Sequence, residues 1–91
     1  MEAKTPEVVM YTTTYCGYCH RAKMLMEEKQ VPFEEINLDL QPERYGEMLS
    51  RAEGRRTVPQ IFVNGQGIGG CDEMYDLERK GQLDELLATV G

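Results

Sequence analysis

The chain has 91 residues, of which 41% are hydrophobic and 29% are charged. This composition is typical of one folded globular domain over residues 1–91 and is too apolar for a disordered chain. No apolar run approaches the roughly 20 residues that a membrane-spanning helix needs. The net charge of −6 disfavours nucleic acid as a partner, because such binding depends on neutralising phosphates.

The first seven residues, MEAKTPE, are polar and carry charges of both signs. They lack the basic start and the apolar stretch of an export signal, so we expect a cytoplasmic protein. The chain contains three cysteines. In the cytoplasm, cysteines close together are more often catalytic, redox-sensing or metal-binding than structural disulfides.

The chain opens with a predicted strand and a predicted helix. Residues 7–12 form a short apolar run of strand-forming residues, which predicts a buried strand. From Tyr18 onward, apolar residues recur at helical spacing, and Pro32 is expected to end this helix. Met24 and Met26 lie within it, and we expect both to fill the core rather than to bind a metal or haem.

A second strand, a second helix and a hairpin follow. Residues 33–40 alternate in part and predict a strand, after which Pro42 opens a helix that Gly54 closes. Residues 61–63 predict a third strand. The next two residues, Asn64-Gly65, are a strong signal for a two-residue turn between antiparallel strands.

The remaining residues predict a short fourth strand and two helices. The strand ends at Gly69-Gly70, one helix begins near Asp72 and stops before Gly81, and the last helix has an apolar stripe that includes Val90. The order is therefore β-α-β-α-β-β-α-α. A β-α-β start predicts parallel strands and the hairpin adds an antiparallel pair, so we expect an α/β fold with a four-stranded mixed sheet flanked by helices.

Cys16 and Cys19 form a C-x-x-C motif that is followed directly by His20. This spacing fits a redox pair, a c-type haem attachment signal, or part of a zinc site with Cys71 as a further ligand. Haem attachment occurs outside the cytosol, and a β-α-β start is the wrong context for it. A histidine next to Cys19 on a helix points away from Cys16, which strains a tetrahedral site. The redox pair is therefore favoured.

The predicted elements give the two motif cysteines different environments. Cys16 falls in the loop after the first strand, at the N-terminus of the first helix. Unpaired N–H groups and the positive end of the helix dipole lie there, so the pKa of Cys16 is expected to fall below about 8.5. Cys19 lies one turn further on and faces the sheet. We therefore expect Cys16 to attack and Cys19 to resolve the mixed disulfide.

Three motifs in this order resemble one known family. The C-x-x-C motif, the segment Thr57-Val58-Pro59 and the segment Gly69-Gly70-Cys71-Asp72 are together similar to those of dithiol glutaredoxins of the bacterial glutaredoxin-3-like type. The resemblance covers the chain from about Glu7 to Leu87. It implies a thioredoxin-like fold, a cis peptide bond before Pro59 and glutathione as co-substrate.

The resemblance also implies where glutathione binds. The backbone of Val58 would pair with the extended peptide, and the N–H groups of Cys71 and Asp72 would receive the γ-glutamyl carboxylate. Tyr18 would pack beside the bound peptide. The implied glutathione-binding residues are Tyr18, Thr57, Val58, Pro59, Gly70, Cys71, Asp72 and Glu73.

Three positions depart from the pattern of the family. Gly17 replaces a frequent proline, Thr13 replaces a glutathione-binding lysine, and Glu73 replaces a second aspartate. The loss of the lysine removes a charged partner for the glycyl carboxylate of glutathione. Arg55 or Arg56 could supply that charge.

The resemblance implies a glutathione-dependent thiol–disulfide oxidoreductase that reduces protein–glutathione mixed disulfides and protein disulfides as a monomer. One alternative is a dimeric carrier of a [2Fe–2S] cluster, with Cys16 of each subunit and two glutathiones as ligands. Gly17 favours this alternative because glycine restores an N–H that proline would remove. A further alternative is a thioredoxin-like reductase that does not use glutathione.

Overall fold

The computed structural model of the protein describes residues 6–88. Val90, which was assigned to the apolar stripe of the last helix, lies outside these residues. The regular elements occur in the predicted order: β1 (Val8–Thr12), α1 (Gly17–Glu28), β2 (Glu34–Asn37), α2 (Tyr45–Arg51), β3 (Gln60–Val63), β4 (Gln66–Gly69), α3 (Cys71–Arg79) and α4 (Gln82–Ala88). Within the described residues, every helix is too short or too polar to cross a membrane.

The four strands form one mixed sheet in the order β2-β1-β3-β4. Strand β1 pairs in parallel with β2 and antiparallel with β3, and β3 pairs antiparallel with β4. The predicted two-residue turn between β3 and β4 is confirmed, with φ angles of 51° at Asn64 and 84° at Gly65. The predicted α/β fold with a four-stranded mixed sheet is therefore confirmed.

Helices cover both faces of the sheet, as the alternation of buried residues along β1 requires. Val8 and Met10 point to one face, where they pack with α1, α3 and α4. Val9 and Tyr11 point to the opposite face, where they pack with α2. The C-terminal end of β1 and the starts of α1 and β3 come together at one end of the sheet, and the candidate site residues lie there.

Two expectations for α1 were wrong in detail. Met26 is fully buried, but Met24 is 43% exposed, because two residues correspond to about 200° around a helix and place Met24 on the opposite side. The helix also ends at Glu28, before it reaches Pro32. A left-handed residue, Gln30, turns the chain there.

Strand β2 is shorter than predicted, since it ends at Asn37 rather than at position 40. The side chain of Asn37 accepts a hydrogen bond from the N–H of Asp39, with an N–O distance of 2.9 Å. Asparagine side chains that bond to the backbone two residues later stabilise a turn in place of a strand. The segment after Asn37 consequently turns toward the loop that precedes Cys16.

Candidate active site

Cys16 is the N-cap residue of α1, as the sequence predicts. Its backbone is extended, with φ −139° and ψ 105°, and its Sγ accepts a hydrogen bond of 3.0 Å from the N–H of Cys19. The helix dipole and this N–H both favour negative charge on the sulfur. Cys16 is half-buried, whereas Cys19 is only 1% exposed. The expected asymmetry between the two cysteines is present.

Cys16 and Cys19 are joined as a disulfide. Their Cα atoms lie 5.2 Å apart, within the range of about 4.4–6.8 Å that disulfides need. The pair can therefore open and close without large backbone movement. Of the two sulfur-bearing residues, Cys16 is the one that solvent reaches, because Cys19 is buried.

The loop that carries Cys16 is anchored to the turn after β2. The N–H of Thr14 donates a hydrogen bond of 2.8 Å to Oδ2 of Asp39. Asn37 Nδ2 donates one of 3.3 Å to Oγ1 of Thr14. These two contacts hold the loop in place over the end of β2 and fix the direction from which α1 begins.

A cavity of about 290 Å³ opens beside Cys16. Val58 connects the cavity with Cys16, because its carbonyl oxygen lies 3.9 Å from the Sγ of Cys16. The structure brings every implied glutathione-binding residue into the lining of this cavity, together with one further residue, Arg55. The lining residues are Tyr18, Arg55, Thr57, Val58, Pro59, Gly70, Cys71, Asp72 and Glu73.

The segment before β3 and the start of α3 pack closely at the base of this cavity. The peptide bond between Val58 and Pro59 is cis, as the resemblance implies. A Cβ atom on Gly70 would lie 3.1 Å from the carbonyl oxygen of Pro59. Glycine at position 70 therefore lets the two segments approach and brings the first N–H groups of α3 to the cavity.

Glu73 and Arg55 form a polar wall on the α3 side. Oε1 of Glu73 accepts a hydrogen bond of 2.6 Å from the N–H of Gly70, and Nη2 of Arg55 lies 3.4 Å from the same oxygen. The bond from Gly70, together with Arg55, holds the pKa of the Glu73 carboxyl below its usual range despite partial burial. Glu73 is therefore ionised at neutral pH and keeps Arg55 beside the cavity.

Cys71 contributes to the cavity differently from Cys16. It is 4% exposed, and burial is the main cause that raises the pKa of its thiol, with Arg21 acting in the opposite direction. The thiol thus remains protonated at neutral pH, where it is a weak nucleophile. Its backbone, at the first position of α3, is what it offers to an anionic group.

The family model of the glutaredoxins, described as "Glutaredoxin", matches residues 8–68 of this chain. The match includes the C-x-x-C motif and the segment with the cis proline. The chain belongs to the glutaredoxin family. This confirms the resemblance in the sequence, and it agrees with the thioredoxin-like arrangement of the sheet and helices.

Similar glutaredoxins span nearly the whole chain. The protein "Glutaredoxin" of Pseudomonas aeruginosa is 51% identical over 84 residues, which cover 92% of this chain and 99% of that protein. "Glutaredoxin 3" of Escherichia coli is 50% identical over 80 residues, which cover 88% and 95%. These relatives agree with the glutaredoxin-3-like type that the motifs indicate.

Solved structures of glutaredoxins share the fold. The solution structure of glutaredoxin from Brucella melitensis is 46% identical, with a TM-score of 0.80 and coverage of 93% of this chain and 91% of that one. The crystal structure of a buckwheat glutaredoxin–glutathione complex is 36% identical, also with a TM-score of 0.80, and coverage is 88% and 74%.

Glutaredoxins are thiol–disulfide oxidoreductases that use glutathione, and this glutaredoxin has the cysteine pair that such chemistry needs. The sequence alone does not show whether Arg55 or Arg56 is the cation near the cavity.

The structure places Arg55 in the lining of the cavity, and Arg56 is exposed outside it. Within residues 6–88, no cluster of three or more His, Cys, Asp or Glu residues is arranged to hold a metal ion.

Proposed function

We propose that this glutaredoxin reduces protein–glutathione mixed disulfides and protein disulfides with glutathione as the electron donor, in the cytoplasm. The observation that supports this most directly is the position of the Cys16 sulfur, 3.9 Å from the carbonyl oxygen of Val58, at a cavity lined by all the implied glutathione-binding residues. The buckwheat relative, solved as a glutathione complex, supports the same ligand.

For a glutathionylated protein the proposed reaction proceeds in two exchanges. The Cys16 thiolate attacks the glutathione sulfur, so that a Cys16–glutathione disulfide forms and the protein thiolate leaves and takes up a proton. A second glutathione thiolate then attacks the sulfur of the bound glutathione. Glutathione disulfide is released and the Cys16 thiolate is restored.

For a protein disulfide the second cysteine is needed. Cys16 attacks one sulfur of the target and forms a mixed disulfide, and the other target sulfur leaves as a thiolate. Cys19 then attacks Cys16, which releases the reduced target and gives the Cys16–Cys19 disulfide. Two glutathiones reduce this disulfide again.

We assign each carboxylate of glutathione to a group in the lining of the cavity. The γ-glutamyl carboxylate binds at the start of α3, where the N–H groups of Cys71 and Asp72 are available to an anion. The middle of the peptide pairs with the backbone of Val58 as an added strand would. Arg55 binds the glycyl carboxylate in place of the lysine that the family often has where Thr13 stands.

Serine variants of the motif cysteines test the proposal. Cys19→Ser should keep turnover of a mixed disulfide between glutathione and 2-mercaptoethanol but lose reduction of a protein disulfide, because only the second reaction needs a resolving thiol. Cys16→Ser should lose both activities, and Cys71→Ser, a matched control, should keep both. The rates are measured with glutathione in a coupled assay. Activity that survives in Cys16→Ser, or turnover that does not depend on glutathione, would rule the proposal out.

A second candidate function, a carrier of a bridged [2Fe–2S] cluster, is favoured by Gly17. A Cβ atom at this position would meet nothing within 4 Å, so packing does not require glycine, although glycine at the start of α1 weakens the helix. Glycine at position 17 can instead be explained by its backbone N–H, which a bound group can approach. Cys16 is the residue of this chain that would bind the cluster, which would supply iron bound by thiolates.

Anaerobic reconstitution with iron and sulfide in the presence of glutathione tests this second candidate. If the candidate is correct, the protein becomes brown and dimeric, and Gly17→Pro remains a colourless monomer that keeps its oxidoreductase activity. A wild-type protein that stays colourless and monomeric would eliminate the cluster function without affecting the first proposal.

A further inference from the structure

The large apolar side chains that solvent reaches are not spread evenly over the described residues. They are Tyr15, Tyr18, Met24, Leu40 and Tyr45, and Tyr15 is the most exposed of them at 98%. Single exposed apolar residues are ordinary. Tyr15, however, directly precedes Cys16, and Tyr18 lies two residues after it.

Leu40 belongs to the same region although it is distant in sequence. It follows Asp39, whose carboxylate accepts a hydrogen bond from the backbone of Thr14, and Thr14 in turn precedes Tyr15. Leu40 is 77% exposed. The turn after β2 therefore brings a second exposed apolar residue to the loop that carries the nucleophile. We call Tyr15 and Leu40 the loop patch.

We propose that the loop patch binds the polypeptide part of a disulfide substrate and selects targets with an apolar side chain close to the reacting cysteine. This inference rests on the proposed function. Tyr15 is not among the residues that line the cavity beside Cys16, so glutathione can bind there without covering it. The polypeptide half of a mixed disulfide must lie outside that cavity, and its sulfur is bonded directly to the glutathione sulfur that Cys16 attacks, so the polypeptide passes close to Cys16.

The chemistry of Tyr15 suits a docking residue. Tyrosine offers a large rigid surface at low cost in conformational entropy, and it is frequent at the centres of protein interfaces. Its phenol keeps the free protein compatible with water. Because Tyr15 is 98% exposed, covering its ring removes more apolar area from water than covering a tyrosine that is already partly packed.

The position of Tyr15 limits where its partner lies in the substrate. Consecutive Cα atoms are about 3.8 Å apart, so the ring of Tyr15 can reach only a short distance from the Cys16 sulfur. A substrate side chain that covers the ring must therefore come from a residue within a few positions of the target cysteine, or from one that folding brings equally near. Two peptides that differ only in the residues next to the cysteine can show whether such a side chain matters.

The test uses two peptides of equal length, each glutathionylated on one cysteine that is flanked by leucine and phenylalanine or by serines. The wild type should have a kcat/KM about fivefold higher for the apolar peptide, which is the effect of one good interface contact. Tyr15→Ser should reduce this preference below about twofold, and Tyr15→Phe should retain it. Leu40→Ser should reduce it in part.

Two controls separate docking from chemistry. The small mixed disulfide of glutathione and 2-mercaptoethanol has no polypeptide, so Tyr15→Ser should turn it over at the wild-type rate. Met24→Gln removes another exposed apolar side chain, eight residues after Cys16 and about 12 Å further along the axis of α1, and should leave the peptide preference unchanged. Failure to turn over the small substrate in the wild type would instead refute the proposed function itself.

Three results would overturn the docking proposal. One is an equal kcat/KM of the wild type for the two peptides. Another is a decrease of kcat/KM in Tyr15→Ser that is as large for the small substrate as for the peptides. Such a decrease would mean that the ring affects Cys16 directly. The third is a dimer in analytical ultracentrifugation that dissociates in Tyr15→Ser, since the ring would then be covered by a second copy of this chain.

Discussion

Gly69, the last residue of β4, and Gly70, which precedes α3, each stand at a close contact. Gly69 has a φ of 98°, and a Cβ there would lie 2.7 Å from Oε1 of Glu73 and 3.0 Å from Nη1 of Arg55. A Cβ on Gly70 would lie 3.1 Å from the carbonyl oxygen of Pro59. The family-like double glycine therefore positions the polar wall of the cavity as well as the start of α3.

Gly69→Ala tests this role of glycine. The free energy of unfolding should fall by about 1–2 kcal/mol, because a side chain disfavours the left-handed backbone. Binding of glutathione should also weaken, since the new Cβ displaces Glu73 and Arg55. Gly46→Ala, in α2, is the opposite control: a Cβ there meets nothing within 4 Å, and alanine should stabilise the helix by up to about 1 kcal/mol. Urea denaturation measures both, and equal midpoints for the two variants would contradict the explanation.

For single residues, the sequence predicts the position of a residue within a strand, loop or helix. It does not reliably predict the direction in which the side chain points. Cys16 and Cys19 were placed correctly because a strand, a loop and a helical repeat locate them. Arg55 and Arg56 could not be separated, since adjacent loop residues have no periodicity to show which one faces the cavity. Met24 is exposed although its side chain is apolar, because its angle on α1 places it away from the sheet.

At the scale of elements, one lysine joins three helices that cover the same face of the sheet. Lys29 caps the end of α1, and its Nζ lies 2.7 Å from Oε1 of Glu78 in α3 and 2.7 Å from Oδ1 of Asp84 in α4. Its side chain is only 14% exposed. The hydrogen bonds to Asp84 and Glu78 raise the pKa of Lys29 above its usual value. The position of α4 therefore depends on an ion pair as well as on apolar contacts.

Lys29→Met should lower the free energy of unfolding by about 0.5–1 kcal/mol at neutral pH, as partly accessible ion pairs do. Because the pKa is raised in the folded protein, the contribution is fully present below about pH 10.4 and is lost as the pH rises through the folded pKa. The difference from wild type in urea denaturation should thus be constant from pH 6 to 9 and shrink at higher pH.

Lys80→Met is the matched control for Lys29. Lys80 follows the last residue of α3 and pairs with Asp76 of that helix on an accessible surface, so its removal should have a much smaller effect at any pH. An effect of Lys29→Met no larger than that of Lys80→Met would show that α4 is held by its apolar contacts alone.

The order of elements was predictable because each strand and helix has its own hydrophobic period. The boundaries were less so, since they depend on single bonds between side chains and the backbone, such as the one that ends β2 at Asn37. The contact of Lys29 with Asp84 spans 55 positions. No local pattern in the sequence contains such a contact, and it became visible only with the packing of the helices.

At the scale of the whole molecule, the net charge of −6 opposes the approach of glutathione, which is itself an anion at neutral pH. The cavity must therefore attract its ligand through local groups. These groups are the N–H groups at the start of α3 and the guanidinium of Arg55. Salt screens the general field over about 10 Å at 0.1 M but acts much less on a direct contact, which gives a way to separate the two effects.

Arg55→Leu and Arg56→Leu each remove one positive charge from neighbouring positions, so they change the overall field almost equally. Only Arg55 lines the cavity. Arg55→Leu should raise the KM for the mixed disulfide of glutathione and 2-mercaptoethanol about three- to tenfold at 0.15 M salt, with little change in kcat, because a contact made equally in the ground state and transition state is lost. Arg56→Leu should raise KM only slightly, and only at low salt. Equal increases in both variants, both removed by salt, would show that Arg55 contributes charge to the field but makes no contact with glutathione.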